Sequence, residues 1–203
     1  MNNYRGITIQ NILCKIYETV LSNRSSTVIK KAVNIVQTQS ACEKGLSSLH
    51  GSLCFQETVA HCADNDSNVF ATYFDARKAF DTVWIEGLLY ILYKCGIKGK
   101  LWRLIYLSYI NCYSAVLVNG KLSNWLKLLQ GVKQGAILSM LLYICFINGL
   151  LNELLISNLG CTVLDLNVGA IGYADDIVIV SLDVKSLQQM VNLAYRYSCK
   201  WRF

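Results

Sequence analysis

Two adjacent aspartates, Asp175 and Asp176, lie inside the apolar stretch GYADDIVIV (172–180). A third, Asp75, closes the β-branched and aromatic run NVFATYFD (68–75). If these runs are neighbouring strands of one sheet, three carboxylates converge at one end of it. Anions that close repel one another and are costly to desolvate unless a cation sits among them. Hard divalent ions answer that need, and Mg²⁺ in particular is held by a few carboxylates together with substrate phosphates. Two such ions about 3.5–4 Å apart can clamp the attacking and leaving oxygens of an in-line phosphoryl transfer. Spacing alone leaves a plainer alternative open, in which Asp175 and Asp176 mark a turn and Asp75 caps the helix that follows.

The elements that would position these groups can be read from periodicity and turn residues. Apolar residues at helical spacing (Ile12, Leu13, Ile16, Val20, Leu21) predict a helix within 9–36, followed by polar SNRSS and a second short helical stretch. A helix is expected around Leu49 to His61, and residues 68–75 read as a buried strand. Two amphipathic helices are expected at 84–95 and 99–112. Asn119-Gly120 between apolar segments signals a hairpin. The run from Lys133 to Leu155 reads as a long helix opening near Gln134. Short strands follow at 161–166 and 169–181, the latter a hairpin with ADD at its turn, and a last helix spans Asp183 to Trp201. This order gives one continuous α+β domain, a small antiparallel sheet backed by helices.

Composition narrows the class. The 203 residues are 54% hydrophobic and 16% charged, enough to build a core. Residues 138–156 are the most apolar, but Ser139, Asn148, Asn152 and Glu153 interrupt them and favour a buried helix over a membrane span. Nine cysteines, odd in number and without a C-x-x-C pair or a secretory signal ahead of them, read as buried thiols of an intracellular, reducing compartment. His50, Cys54, His61 and Cys62 lie close in sequence, but their spacing fits no standard zinc pattern. Between Gly87 and Asn152 there are seven Lys or Arg and no Asp or Glu. A one-signed block suits contact with a polyanion, or is a solvated face that lacks acids. The four tryptophans (84, 102, 125, 201) read as core. Ordinary usage of about 5% predicts roughly ten prolines, and there are none.

YFDARKAFDTVW, QGAILSMLL and YADD, in that order and at that spacing, resemble the palm motifs of reverse transcriptases, and of the non-LTR (LINE-like) retrotransposon type in particular. NYRGITIQNILCKIYETVLSNR resembles that family's segment entering the fingers, so the likeness runs from about Asn3 to Trp201. It implies a polymerase palm, ferredoxin-like, with a mostly helical fingers subdomain: about 1–67 fingers, and about 68–203 palm with inserted fingers helices. The activity implied is RNA-directed DNA polymerisation, from dNTP to a primer 3′-OH on an RNA template, with two Mg²⁺ ions that Mn²⁺ can replace.

The resemblance assigns Asp75, Asp175 and Asp176 to the metals. It makes Phe80, five residues after Asp75, the side chain under the incoming sugar, excluding a 2′-OH. Gln134 and Gly135 would meet the template and nascent pair, Tyr173 the primer terminus, and Arg77 the triphosphate. Lys78 and Asp81 match the pattern in helix-start roles. Lys133, Met140 and Gly6 stand where the family commonly has proline. ACEKGLSS keeps Lys44 and Gly45 of a fingers segment that usually carries two arginines, and Gly149 replaces an aspartate. The likeness stops at CKWRF, where the family continues into a lysine-bearing motif, a thumb and, in some elements, an endonuclease. The expectation is thus a fingers-palm fragment with weak or no activity of its own, or else a non-catalytic RNA-binding palm.

Overall fold

A computed structural model describes residues 6–203. Asn3 to Arg5, the first residues of the fingers-entry likeness, lie outside the described residues. The helices are α1 (Ile12–Val33), α2 (Ser48–Asp64), α3 (Ala79–Thr82), α4 (Ile85–Lys94), α5 (Gly99–Ile110), α6 (Ser139–Ile156) and α7 (Val184–Trp201). The strands are β1 (Phe70–Asp75), β2 (Tyr113–Ser114), β3 (Leu117–Val118), β4 (Lys121–Leu122), β5 (Leu126–Lys127), β6 (Thr162–Val163), β7 (Leu166–Asn167), β8 (Ala170–Tyr173) and β9 (Asp176–Ser181).

The central sheet is antiparallel with the order β1-β9-β8. On one face Phe74, Ile177 and Ile179 pack into the main core with α6 and α7. On the other, Val178, Val180 and Ile171 meet Cys62 and Phe55 of α2. The strand β1 alternates between half-buried and exposed positions rather than being buried throughout, because its second face opens to solvent at Tyr73 and Asp75.

The centre of the fold is α6. It is, among the described residues, the one helix long and apolar enough to cross a membrane, and 67% of it is buried inside the protein. Leu142, Ile144, Phe146, Ile147 and Leu151 are all at most 1% exposed, and every residue from Leu141 to Asn148, more than two turns, is buried. A helix apolar all round belongs in an interior, and each such side chain contributes about 1.5–3 kcal/mol through burial. The helix begins at Ser139, not at Gln134. Gly135 has φ +95°, a conformation no helix accepts, so residues 134–138 form turns first.

Other expectations change with the packing. The first helix runs unbroken through SNRSS, because the Ser25 hydroxyl turns inward and donates to the Leu21 carbonyl (2.6 Å). Its buried stripe is Glu18, Leu21, Ser25, Ile29 and Val33, whereas Ile12, Leu13, Ile16 and Val20 face solvent. Only Cys62, Cys145 and Cys161 of the nine free cysteines are buried. Trp84, Trp102 and Trp201 pack against the core, but Trp125 is exposed on the β2–β5 arm. At the tip of that arm Asn119 and Gly120 both take positive φ, as a two-residue type I′ turn requires.

One buried amide joins α6 to the end of α1. Asn148 of α6 accepts from the Val36 amide (2.9 Å) and donates to the carbonyls of Val33 and Asn34, where α1 ends. Those carbonyls have no intrahelical partner at a helix C-terminus, so the asparagine serves as their cap from another helix.

Candidate active site

The turn between β8 and β9 is Ala174-Asp175, and the ladder beside it sets the geometry. Asp75, the last residue of β1, is the direct cross-strand partner of Asp176, the first residue of β9. Asp176 in turn faces Tyr173 on β8. Directly opposed residues of an antiparallel pair project to one face, with Cβ atoms about 4.5–5.5 Å apart. Asp75, Tyr173 and Asp176 accordingly line one groove of about 490 Å³ between this face and α2, walled by Ser52, Phe55 and Tyr73.

Asp175 occupies the turn itself. Tyr143 of α6, 2% exposed, lies within electrostatic reach of it. Burial, and then the charges of Asp175 and Asp176, push the Tyr143 phenol well above its usual range. Phe80 stacks on that ring, with centroids 5.0 Å apart and planes 17° from parallel. The predicted sugar-facing residue therefore stands on a fixed aromatic platform beside the aspartates.

Phe80 is pinned through its backbone as well. Lys78 takes φ +56° before α3, and its carbonyl accepts from Asp81 (2.8 Å) and Thr82 (3.1 Å). The amide of Val132 donates to the Phe80 carbonyl (2.7 Å), and that of Gly131 to Val83 (2.8 Å). Gly131, at φ +88°, is irreplaceable here: a Cβ would come within 2.9 Å of the Asp81 carbonyl oxygen. Arg77 is exposed in the turn after β1.

Gln134 and Gly135 do not line the groove; they form the loop leading into α6. The Gln134 carbonyl accepts from Thr8 (3.0 Å), and the Ile137 amide donates to the buried Glu18 carboxylate (3.0 Å). Glu18 also accepts from Gln10 (2.7 Å) and sits 3.8 Å from the Lys133 ammonium. In the fingers segment Lys44 is exposed, while Lys30 pairs with Glu43 (2.9 Å). His50 accepts from the Ser47 amide at the start of α2 (3.0 Å).

Sequence reading did not single out Glu18 or Gln39. The side-chain amide of Gln39, 1% exposed, bonds both the N–H of Ala174 (3.0 Å) and its carbonyl (3.3 Å). Ala174 has φ +56°, a conformation that costs a non-glycine residue about 1–3 kcal/mol.

The donor set fits a hard divalent cation. Two carboxylates stand opposed across the ladder and a third lies one residue away, all oxygen ligands at an accessible sheet end. Among the described residues, no three His, Cys, Asp or Glu side chains are gathered closely enough to form a ready-made metal cluster.

A β1-β9-β8 sheet with carboxylates at one end, two helices behind it and a helical segment joined at its edge is the palm and fingers architecture of a polymerase. The chain belongs to the reverse transcriptase (RNA-dependent DNA polymerase) family, whose model matches residues 1–203. Members of that family use divalent metal ions. It is similar to a Pol polyprotein from the type-1 retrotransposable element R2 of Popillia japonica, at 26% identity over 88% of this chain and 25% of that protein. A probable RNA-directed DNA polymerase from transposon BS of Drosophila melanogaster is 26% identical over 71% of this chain and 16% of its own length. The chain thus spans a quarter or less of these curated relatives. Among solved structures, Candida albicans telomerase shares the fold with a TM-score of 0.55 at 14% identity, covering 89% of this chain and 31% of that one. Apo telomerase from Candida tropicalis gives 0.59 at 13%, covering 92% and 40%.

Proposed function

We propose that this chain is the fingers-palm portion of an RNA-directed DNA polymerase of the non-LTR retrotransposon type, extending a DNA primer with dNTPs on an RNA template. The observation that carries this reading is the opposition of Asp75 to Asp176, with Asp175 in the adjoining turn. Like charges directly opposed are unfavourable on their own, and the pattern makes chemical sense as a holder for cations. Asp75, Asp175 and Asp176 would hold two Mg²⁺ ions, replaceable by Mn²⁺. Bound there, the ions would supply charge for the attacking 3′-oxygen and the departing pyrophosphate.

The chain's own residues orient the reactants. Tyr173, in the groove beside Asp176, supports the primer end. The loop of Gln134 and Gly135 approaches the template, where a glycine leaves room for close backbone contact. Arg77, exposed just beyond Asp75, is free to reach a triphosphate. The thumb and any endonuclease would lie elsewhere in a complete element. Nine free cysteines suit an intracellular setting.

The test is primer extension on an RNA template, with Asp175→Asn as the paired control. Extension by the parent and none by the variant is expected. Equal signal from both would rule out catalysis at this site and leave the alternative of a palm that only binds RNA, with a strongly salt-dependent affinity indifferent to Mg²⁺.

Phe80 yields a separate expectation. Its ring stacks on Tyr143 and its backbone carbonyl accepts from Val132, which places the ring where it would meet a 2′-OH. Phe80→Ala is expected to reduce discrimination against ribonucleotides by about 10–200-fold, the range for contacts of one or a few carbons in a packed pocket. Paired dNTP and rNTP incorporation rates measure this. An unchanged ratio would assign Phe80 to packing alone.

A further inference from the structure

We infer that Gln39 is a positioning residue that holds the Asp175-Asp176 turn in its working conformation and ties it to the fingers segment. The inference rests on the reading of the aspartates given above, but its evidence is separate. Gln39 lies in the segment joining α1 to α2, 135 residues before the turn it grips. That segment runs along the free edge of β8: the Gly172 amide donates to the Thr38 carbonyl (2.9 Å), and the Ser40 amide to the Gly172 carbonyl (3.0 Å). The backbone contacts bring Gln39 to the hairpin, and its side chain finishes the connection. Oε1 accepts from both Ala174 (3.0 Å) and Ala41 (3.1 Å), while Nε2 donates to the Ala174 carbonyl (3.3 Å).

The arrangement has a physical purpose. The residue before Asp175 sits at positive φ and carries a Cβ, so its backbone would relax to an ordinary conformation if left alone. Relaxation would rotate the following peptide and with it the aspartate. A buried amide that satisfies both the N–H and the C=O of one residue resists that rotation. Gly172 is matched to the same purpose, since a Cβ there would come within 3.0 Å of Gln39 Nε2 and 3.1 Å of Leu151.

The other end of the connection is the fingers. Gln39 is four residues from Glu43, which pairs with Lys30 of α1, and five from the exposed Lys44. The Lys30 ammonium also donates to the Cys42 carbonyl. Asn148 fixes Val36 three residues upstream. The segment that carries Gln39 is thus anchored to α1 and α6 at one end and, through its backbone at Gly172 and its side chain at Ala174, to the hairpin at the other.

Gln39→Leu keeps the bulk and removes all three bonds. The expected result is a rise of about 10–100-fold in hydrogen exchange at the Ala174 and Asp175 amides, the range for a buried partner left unsatisfied. Exchange in α6 and α7 stays unchanged. In primer extension kcat falls by a similar factor, while KM for primer–template does not move. Adding Ala174→Gly to that variant restores much of kcat, because glycine adopts positive φ without help. Should Gln39→Leu not fold, Gln39→Asn, which withdraws the amide by one methylene, carries the same expectation.

Unchanged exchange at residues 174 and 175, or no rescue by glycine, would overturn the inference. Exchange needs no catalysis, so the two readings separate. Deprotected turn amides in a protein that never extends a primer would uphold the clamp and sink the polymerase reading. Extension abolished by Asp175→Asn yet indifferent to Gln39→Leu would do the opposite.

Discussion

Replacing Asp75 with asparagine is expected to leave the protein at least as stable as before while lowering primer extension by more than about 100-fold. Asparagine is nearly the same size, and nothing in the core depends on the carboxylate. The core-facing residue of that strand end is Phe74, and Asp75 is exposed. Its cross-strand partner is another acid, Asp176. Like charges directly opposed in a ladder cost about 0.2–1 kcal/mol, so removing one is worth up to that much. The loss of activity has the reverse logic. Substituting even an outer group around a metal typically costs 10–100-fold in affinity or activity, and Asp75 is proposed as a ligand. Added Mg²⁺ should then raise the unfolding temperature of the parent by binding only the folded state, and the variant should lose that rise. Thermal unfolding with and without Mg²⁺, beside an extension assay, measures all three quantities. A variant less stable than the parent, with activity reduced in proportion, would make Asp75 a structural residue.

The parts of this fold that act through their own sequence neighbours were legible in advance. The strand ending at Asp75, the hairpin around Ala174 and the Asn119-Gly120 turn each follow from a β-branched or apolar run or from a turn dipeptide. Their observed bounds agree with that reading. α6 opens five residues later than Gln134, because apolar residues continue through 134–138 while Gly135 forbids the helical backbone. The first helix was split because SNRSS looks solvated, yet Ser25 is buried with its hydroxyl satisfied four residues back.

What stayed hidden shares one property. Glu18, Gln39 and Asn148 are polar residues whose partners are backbone groups 119, 135 and 112 residues away. No local pattern marks such a side chain, since its meaning depends on which loop the fold brings against it. The likeness to reverse transcriptases supplied the aspartates, and of these three groups Gln39 is the one that bonds the turn beside them. Glu18 joins α1 to the loop before α6, Asn148 joins α6 to the end of α1, and Gln39 joins the segment after α1 to the hairpin turn.

Gly160→Ala is expected to be the most damaging single-methyl change in the chain, destabilising it by about 3 kcal/mol or more. Gly160 and Gly169 approach back to back, and a Cβ on either would fall well inside van der Waals contact with the Cα of the other. Most tight contacts in a protein can be relieved by turning a side chain, but here both obstacles are backbone. Insertions into packed regions commonly cost 1–3 kcal/mol, and more where nothing can move aside.

The consequence would spread along one route. Val180 donates to the Gly169 carbonyl (2.9 Å) and accepts from the Cys161 amide (2.9 Å), so both glycine segments hang on the same residue of β9. Four residues further up that strand is Asp176. Gly120→Ala provides the comparison: its φ of +75° makes alanine strained, at a cost of about 1–2 kcal/mol, but no atom lies within 4 Å of the added methyl. Urea unfolding midpoints of the two variants should differ accordingly, with Gly160→Ala shifted at least twice as far. Equal shifts would mean that the 160–169 contact yields easily and that β9 takes its position from β1, β8 and α7 alone. A large difference would show that the strand carrying Asp176 is held from both ends, by a glycine pair at its base and by the neighbouring turn at its tip.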